Sequence, residues 1–363
     1  MNTEHAATNA AFLAALQGGP ATAPAGQPKR LGYVRIPGVV NLSFSKLSTF
    51  YTCPRKYMLG ELEGMRKFNP SAHTAFGHSY GAGIQEYARW VDKLGHDKAV
   101  QRAVVGALAA WDTYSLDDVD AKGIKSFWRC TQAVALWCER EGRRLLEVYE
   151  LANLELNGRT VPGIELEFYV HIGEHYNFQG HIDLVLRHRQ TGELCVVEIK
   201  TMSKPPAPAD WANSAQTIGY NVVLQGVGAM AAEQVAYHVL YLCYDASAME
   251  LTELPFSRSL AERSEWVTSL LADVQQMEMY KELGVWPKRG SQCMNYKRAC
   301  EFFGICDLSH TARSAPDIGS YEDRALEDVH FVTRIEDLLE LQERELAAHE
   351  APPPETPLPT PPL

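Results

Sequence analysis

Residues 180–200 read GHIDLVLRHRQTGELCVVEIK and contain the pattern that decides the fold. Two apolar, strand-like segments flank RQTG (189–192), a turn-like tetrad ending in glycine, and this order predicts a β-hairpin. Because side chains alternate along a strand, Glu198 and Lys200 are expected on one side. Asp183 lies on the first strand, across from Glu198 and Lys200 if the two strands diverge there.

These charged residues have two interpretations. Asp183 and Glu198 can supply oxygen ligands to Mg²⁺ or Mn²⁺, with the backbone carbonyl of Ile199 as a third ligand. Lys200 would then orient or deprotonate an attacking water and offset negative charge. The other interpretation is a salt-bridged strand end at a sheet edge. The apolar run 194–197 favours a central strand and therefore the metal site.

The remaining pattern predicts a mixed α/β domain with a mainly helical N-terminal part. Ser43 or Ser45 is expected to cap a first helix, and residues 74–114 and 123–151 have the apolar period of helices. IELEFYVHI (164–172) alternates as a strand does. After the hairpin we expect a helix over 214–232, a strand over 234–245 and a long helix over 258–283.

Composition divides the 363 residues into four segments: a disordered arm rich in Ala, Gly and Pro (1–34), one globular domain (35–312), an acidic helical extension (313–350) and a proline-rich tail (351–363). No apolar run reaches the roughly 18 residues of a membrane helix, and the N-terminus lacks the basic region of a secretory signal. We therefore expect a cytoplasmic protein that does not contact a membrane.

The net charge of −11 does not exclude a nucleic-acid partner, because the segment from Asp317 onward carries twelve acidic and only three basic residues. Basic pairs elsewhere, such as Arg55/Lys56, Arg143/Arg144 and Lys288/Arg289, could contact phosphates. Further basic residues stand at 66–67, 204 and 297–298. The acidic segment contains apolar residues at helical spacing, so it either packs on the core or docks a protein partner.

The hairpin motif, in the form G-x-I-D…E-x-K, resembles the core of the PD-(D/E)XK nuclease superfamily in its RecB-like branch. QTIGY (216–220) supplies Gln216 and Tyr220 in the Q-x-x-x-Y spacing of that branch, and on a helix both would share one face. The resemblance implies a restriction-endonuclease-like core, with a mixed central sheet flanked by helices. It also implies catalytic roles for Asp183, Glu198, Lys200, Gln216 and Tyr220.

The activity implied by the resemblance is that of an Mg²⁺- or Mn²⁺-dependent deoxyribonuclease. An exonuclease in recombination, repair or phage DNA processing is expected, acting on DNA ends or single strands without sequence specificity. AddB-type and CRISPR-associated relatives hold a [4Fe–4S] cluster with one N-terminal and three C-terminal cysteines. Here the resemblance assigns those positions to Cys53, Cys293, Cys300 and Cys306, with spacing C-x₆-C-x₅-C where the family often has C-x₂-C-x₅-C.

One position departs from the branch, which usually carries a metal-binding histidine on an early helix. In FGHSYGAGIQEY (76–87) that position falls on Gly81, and His78 stands three residues early. Gln85 and Glu86 follow where the family often has an acid, so Gln85 is a candidate metal contact. Either the site holds metal without the histidine, or the domain has lost activity and only binds or scaffolds DNA.

Overall fold

The computed structural model describes residues 36, 38–65, 72–112, 124–156, 158–203, 207–226, 234–242, 249–295, 298–307 and 331–350. The predicted N-terminal arm (1–34), the proline-rich tail (351–363) and residues 313–330 of the predicted acidic extension lie outside these residues. The fold within the described ranges is a mixed α/β arrangement in which helices cover a central sheet.

The described helices are α1 (Phe44–Thr52), α2 (Pro54–Tyr57), α3 (Ala72–Leu94), α4 (His96–Asp112), α5 (Phe127–Trp137), α6 (Arg143–Val148), α7 (Ala215–Gly226), α8 (Leu260–Glu282) and α9 (Ile335–Glu350). Ser43, rather than Ser45, caps α1 by accepting from the Lys46 N–H. The predicted helix 74–114 is divided between α3 and α4 by Gly95, whose φ of 77° suits a helix end. Among the described helices, none is long and apolar enough to cross a membrane.

The described strands are β1 (Val40–Leu42), β2 (Tyr149–Leu151), β3 (Asn153–Leu156), β4 (Arg159–Pro162), β5 (Ile164–Ile172), β6 (Tyr176–His188), β7 (Leu194–Met202), β8 (Gln234–Leu242), β9 (Met249–Ser257), β10 (Met294–Asn295), β11 (Arg298–Ala299) and β12 (Phe331–Arg334). The predicted hairpin is present as β6 and β7, which are antiparallel. The second predicted helical region, 123–151, ends earlier than expected because Tyr149–Leu151 pairs with β6 as a strand.

An eight-stranded mixed sheet organises the described part of the chain. Its order is β12-β5-β6-β7-β8-β9, with β1 and β2 pairing with β6 as well. β7 and β8 are parallel, and α7 lies on the crossover connection between them. β7 is therefore an interior strand, which places the residues after its apolar run inside the sheet.

The sheet opens along one edge of β6. β7 pairs with β6 only from Arg187↔Leu194 to Leu184↔Val197, and β1 pairs with β6 at 176–178. Between these two pairings, residues 179–183 of β6 have no strand partner on that edge within the described chain. A cleft of about 790 Å³ lies at this opening, and its walls include residues of α1, α3, α7 and α8.

Two hydrophobic cores lie on the two faces of the sheet. One contains residues of α1, α7, α8 and α9, such as Phe50, Val223 and Leu338. The other contains residues of α3 to α6, such as Ile84 and Trp137. The cleft lies between these two layers, so its residues are placed by both cores.

Beside the cleft, the apolar side chains of β5 and of β6 change from one face of the sheet to the other. Ile164 and Leu166 are two residues apart, a spacing that normally puts side chains on one face, yet they belong to opposite cores. Ile182 and Leu184 of the paired strand do the same. Between Ile164 and Leu166 lies Glu165, which has a left-handed φ of 45°. The local twist at Glu165 explains this change.

The C-terminal acidic helix packs on the core. β12 adds to the sheet in parallel with β5, and Ile335 and Leu338 of α9 are buried in the first core. Gln342 donates to Gln225 of α7 at 3.0 Å, and Gln225 donates to Glu345. The segment 331–350 thus contributes to the same sheet and core as the hairpin, which corresponds to the first of the two alternatives for the acidic segment.

Candidate active site

Asp183 and Glu198 lie where β6 and β7 separate. Each is the first residue beyond the last β6–β7 pair, Leu184↔Val197, so the two carboxylates face each other across the opening. The Ile199 N–H donates to Asp183 Oδ2 at 2.9 Å and links the diverging strands. Glu198 is only 1 % exposed. The separation of the strands therefore produces a pair of carboxylates inside the sheet, of which Glu198 is buried and Asp183 is half-buried.

Lys200 and two residues of α7 surround Glu198. The Lys200 ammonium donates to Glu198 Oε1 and, at 3.2 Å, to the side-chain oxygen of Gln216. Gln216 Nε2 donates to Glu198 Oε1 at 2.8 Å and to the Tyr220 hydroxyl at 2.6 Å. The i, i+4 spacing puts Gln216 and Tyr220 on one face of α7. The structure thus brings together all five residues that the sequence proposed as catalytic, and Ile199 lines the same cleft.

Glu165 is a third carboxylate of the site that the sequence analysis missed. Gln85 of α3 donates from Nε2 to Glu165 Oε1 at 2.6 Å and to the Asp183 backbone carbonyl at 3.1 Å. Gln85 therefore fixes the two neighbouring strands rather than pointing freely into the cleft. An available signal was the start of IELEFYVHI, where two glutamates, Glu165 and Glu167, alternate with apolar residues.

Burial and mutual repulsion make this carboxylate cluster electrostatically costly. Burial raises the pKa of Glu198, and the nearby Asp183 raises it further, against the opposing effect of Lys200. The Asp183 pKa is also raised by burial. Burial, with the Asp183 charge second, raises the pKa of Glu165 to about 7. Three carboxylates, one buried and two half-buried, that face one ammonium would be stabilised by a cation.

The donor set fits a hard divalent ion. Glu198 Oε2 is buried and finds no hydrogen-bond partner among the described residues, an arrangement that is rare unless another group uses the oxygen. Oxygen donors are the ligands that Mg²⁺ and Mn²⁺ take. Across the described ranges, however, no group of three or more His, Cys, Asp or Glu side chains has metal-binding geometry as it stands. Lys200 and the Ile199 N–H hold the carboxylates instead.

The wall formed by α3 is open at the position where the RecB-like branch would have a histidine. Gly77, His78 and Gly81 line the cleft together with Gln85. A Cβ at Gly81 would meet nothing within 4 Å, so the space for a side chain is present. Burial lowers the pKa of His78, which favours the neutral imidazole.

The four cysteines proposed as cluster ligands lie on neighbouring segments, but among the described residues they form no group with metal-binding geometry. The backbone of Arg55, two residues after Cys53, donates to the Pro287 carbonyl at 3.1 Å, and the Cys300 N–H donates to the Cys293 carbonyl at 2.9 Å. The pKa of Cys306 is raised mainly by burial, with smaller contributions from Cys53 and Cys293. Three of the cysteines predicted as core residues, Cys130, Cys138 and Cys195, are buried, and Cys243 lies outside the described residues.

Several predicted phosphate-contacting basic residues are instead engaged within the protein. Lys56 pairs with Glu301 at 3.3 Å, Arg144 pairs with Glu141 at 2.9 Å, and Lys288 pairs with Asp307. Such exposed pairs contribute little to stability, but they leave these groups less available to a ligand. The basic residues at 66–67, 204 and 297 lie outside the described residues.

Comparisons with known proteins agree with the motif. The family model described as the PD-(D/E)XK nuclease superfamily matches residues 41–307, most of the chain. No curated protein matches the sequence. Two solved structures are similar at low identity. The first, from Eubacterium rectale and described as a "Putative exonuclease", has 12% identity, a TM-score of 0.40 and coverage of 70% of this chain and 86% of its own.

The second solved structure, that of the protein SSO0001, has 14% identity and a TM-score of 0.19, and the match covers 65% of this chain and 87% of that one. At these scores neither structure carries weight in the assignment, which rests on the family match over 41–307. The cleft described above lies almost entirely within the matched residues. The chain belongs to the PD-(D/E)XK nuclease superfamily.

Proposed function

We propose that this protein is a metal-dependent deoxyribonuclease of the RecB-like branch that hydrolyses DNA phosphodiester bonds as an exonuclease. The observation that carries the proposal is the convergence of Asp183, Glu198 and Lys200 at an interior opening of the sheet, where one Glu198 oxygen has no hydrogen-bond partner in the described part of the chain. A structural ion pair would need no such unpartnered oxygen.

Asp183, Glu198 and the Ile199 carbonyl would hold Mg²⁺ or Mn²⁺, with Glu165 as an additional carboxylate that Gln85 keeps in place. A bound divalent ion supplies charge stabilisation for the phosphate and lowers the pKa of a water molecule. Its positive charge would also offset the repulsion among the carboxylates.

The protein's own groups would orient the reactants. Lys200 is held by Glu198 and Gln216, so its ammonium is positioned to offset charge on the phosphate or to orient the attacking water. Gln216 fixes Lys200 and Glu198 together, and the Tyr220 hydroxyl accepts from Gln216. Tyr220 thus acts through Gln216 as a positioning residue.

The four cysteines Cys53, Cys293, Cys300 and Cys306 are proposed to hold a [4Fe–4S] cluster. Four thiolates form the usual ligand set of such a cluster. The support from this chain is the approach of the Cys53 region to residues 286–307 and the electrostatic proximity of Cys306 to Cys53 and Cys293. The cluster would join two segments that are more than 200 residues apart, and its role would be structural.

The proposed substrate is DNA, at ends or in single strands and without sequence specificity. A cytoplasmic role in recombination, repair or phage DNA processing fits this chemistry. The exposed acidic side chains of α9, which face away from its buried residues, are the proposed contact for a protein partner.

The second candidate is a catalytically silent DNA-binding or scaffolding protein, and the missing side chain at Gly81 favours it. End-labelled linear DNA and circular DNA, single- and double-stranded, incubated with the protein and Mn²⁺ would separate the candidates. We expect cleavage by the wild type and by Lys98→Ala, an exposed control on α4. Asp183→Ala should be inactive but folded. Tight DNA binding without any product would establish the second candidate instead.

A further inference from the structure

The cleft continues past the candidate catalytic residues into a space between α1 and α8, which we call the α1–α8 arm. Its walls are formed by Ser45, Ser48, Tyr51, Trp266, Ser269 and Asp273. None of these residues is assigned a role in the proposed phosphodiester chemistry. The Tyr51 hydroxyl donates to Asp273 Oδ2 across the arm.

The Tyr51–Asp273 pair lies at a defined distance from the catalytic end. The Phe44 ring lies 5.4 Å from that of Tyr220 and 6.4 Å from that of Trp266, which marks the catalytic end. Tyr51 and Asp273 each follow seven residues later on their helices, so α1 and α8 run in the same direction. At about 1.5 Å per residue, the pair is roughly 10 Å further along. This length corresponds to about three stacked nucleotides.

The chemistry of the α1–α8 arm does not suit a continuing phosphate backbone. Its six named wall residues include no lysine or arginine, and the charged group at its far end is a carboxylate. A phosphate beside Asp273 would meet like charge in a partly desolvated site. The exposed hydroxyls of Ser45 and Ser48 instead suit the sugar of a nucleoside, and Trp266 forms the buried floor of the arm.

We propose that the Tyr51–Asp273 pair, which borders the partly exposed far end of the cleft, selects a DNA strand end that carries a free hydroxyl group over one that carries a phosphate. The inference rests on the proposed nuclease function. It adds a structural reason for exonuclease action, because a strand whose end must lie at Asp273 is cut near that end. A 5′ and a 3′ hydroxyl present the same chemistry, and the experiment distinguishes them.

The test uses the full-length protein with Mn²⁺ and single-stranded oligonucleotides of one sequence. Each carries a hydroxyl or a phosphate at either the 5′ or the 3′ end, and circular single-stranded DNA is included. At the selected end, wild type should cleave the hydroxyl form at least about tenfold faster than the phosphate form, as expected for like charges about 4 Å apart that solvent screens in part. Circular DNA should be cleaved more slowly still.

Three variants localise the effect. Asp273→Asn removes the charge without changing shape and should bring the two end forms within about threefold of each other. Tyr51→Phe removes the hydroxyl but leaves the carboxylate, so the preference should persist. Glu265→Gln changes an exposed acid on the same helix and should behave as wild type. Thermal unfolding of each variant checks that it is folded.

The outcomes separate the two levels of the proposal. Cleavage by wild type with no preference at either end, equal cleavage of circular DNA, or an unchanged preference in Asp273→Asn would overturn the strand-end inference and leave the nuclease function standing. If Tyr51→Phe lost the preference for the hydroxyl form as fully as Asp273→Asn, the assignment of that preference to the Asp273 charge would be overturned. Absence of cleavage on every substrate would overturn the proposed function itself.

Discussion

Replacing Glu165 by glutamine tests the electrostatics of the site through protein stability. Glu165 has its pKa raised by burial, and secondarily by Asp183, from 4.5 to about 7. The folded protein therefore keeps the proton to higher pH than the unfolded chain does. The free energy of unfolding of wild type should fall as the pH rises from about 4.5 to 7 and then remain lower.

The size of this loss follows from the pKa. At about 1.4 kcal/mol for each pH unit, an ionised Glu165 costs the fold on the order of 3 kcal/mol above pH 8. Glu165→Gln removes the charge, and its amide oxygen can still accept the hydrogen bond that Gln85 donates at 2.6 Å. The stability difference between variant and wild type should therefore grow, in favour of the variant, between pH 5 and pH 8.5.

The assay is urea unfolding followed by tryptophan fluorescence at pH 5 and pH 8.5 in the presence of a chelator. We expect the variant-minus-wild-type difference to be on the order of 2–3 kcal/mol larger at pH 8.5 than at pH 5. Glu265→Gln, an exposed change on α8, should show no such difference. Identical pH dependence in Glu165→Gln and wild type would refute the buried carboxylate cluster.

Metal provides a second readout in the same experiment. An ion that binds only the folded protein raises its free energy of unfolding in proportion to the logarithm of its concentration. Mn²⁺ should therefore stabilise wild type at pH 8.5, and Glu165→Gln should gain less. Equal stabilisation of both proteins would remove Glu165 from the proposed ligand set without affecting the pH argument.

Three further predictions address other parts of the molecule. Lys200→Ala should lower the cleavage rate at least about 100-fold with an unchanged circular dichroism spectrum, and wild-type-like cleavage would end the catalytic assignment. Anaerobically purified protein should be brown, with visible absorption lost in Cys306→Ala; a colourless protein with stoichiometric zinc would contradict the cluster. Gly219→Ala places a Cβ 2.5 Å from the Trp266 ring and 2.8 Å from that of Phe44, so it should destabilise the fold by about 1–3 kcal/mol in thermal unfolding. Gly290→Ala, which meets open space, is the control, and equal stability of the two variants would contradict this packing.

The hairpin could be predicted from the sequence because its signals are local. Alternation with period two, the turn ending in Gly192 and the apolar run before Glu198 all lie within 21 residues. The Q-x-x-x-Y spacing likewise needs only helix geometry. Through the family resemblance that they support, these signals predicted a mixed sheet flanked by helices, which the structure has. The structure places the five proposed catalytic residues at one cleft.

The features that escaped prediction depend on distant pairing. β12 joins β5 in parallel across more than 150 residues, and no local pattern specifies that partner. The left-handed backbone at Glu165 could not be predicted either. A sequence indicates a positive φ mainly at glycine, asparagine or aspartate, and a glutamate gives no such signal. The α1–α8 arm joins residues 222 positions apart, as the Tyr51–Asp273 contact shows.

The position of Glu198 decides between the two original interpretations of the charged strand end. A salt bridge at a sheet edge would leave its charges in water, where they cost little. β7 instead lies between β6 and β8, and Glu198 is 1 % exposed. Placing the buried Glu198 beside the partly buried Asp183 and Glu165 against a single ammonium carries a desolvation cost that one ion pair does not offset. This imbalance, where a cleft reaches the sheet interior, favours the metal-site interpretation, and the Mn²⁺ stabilisation experiment tests it.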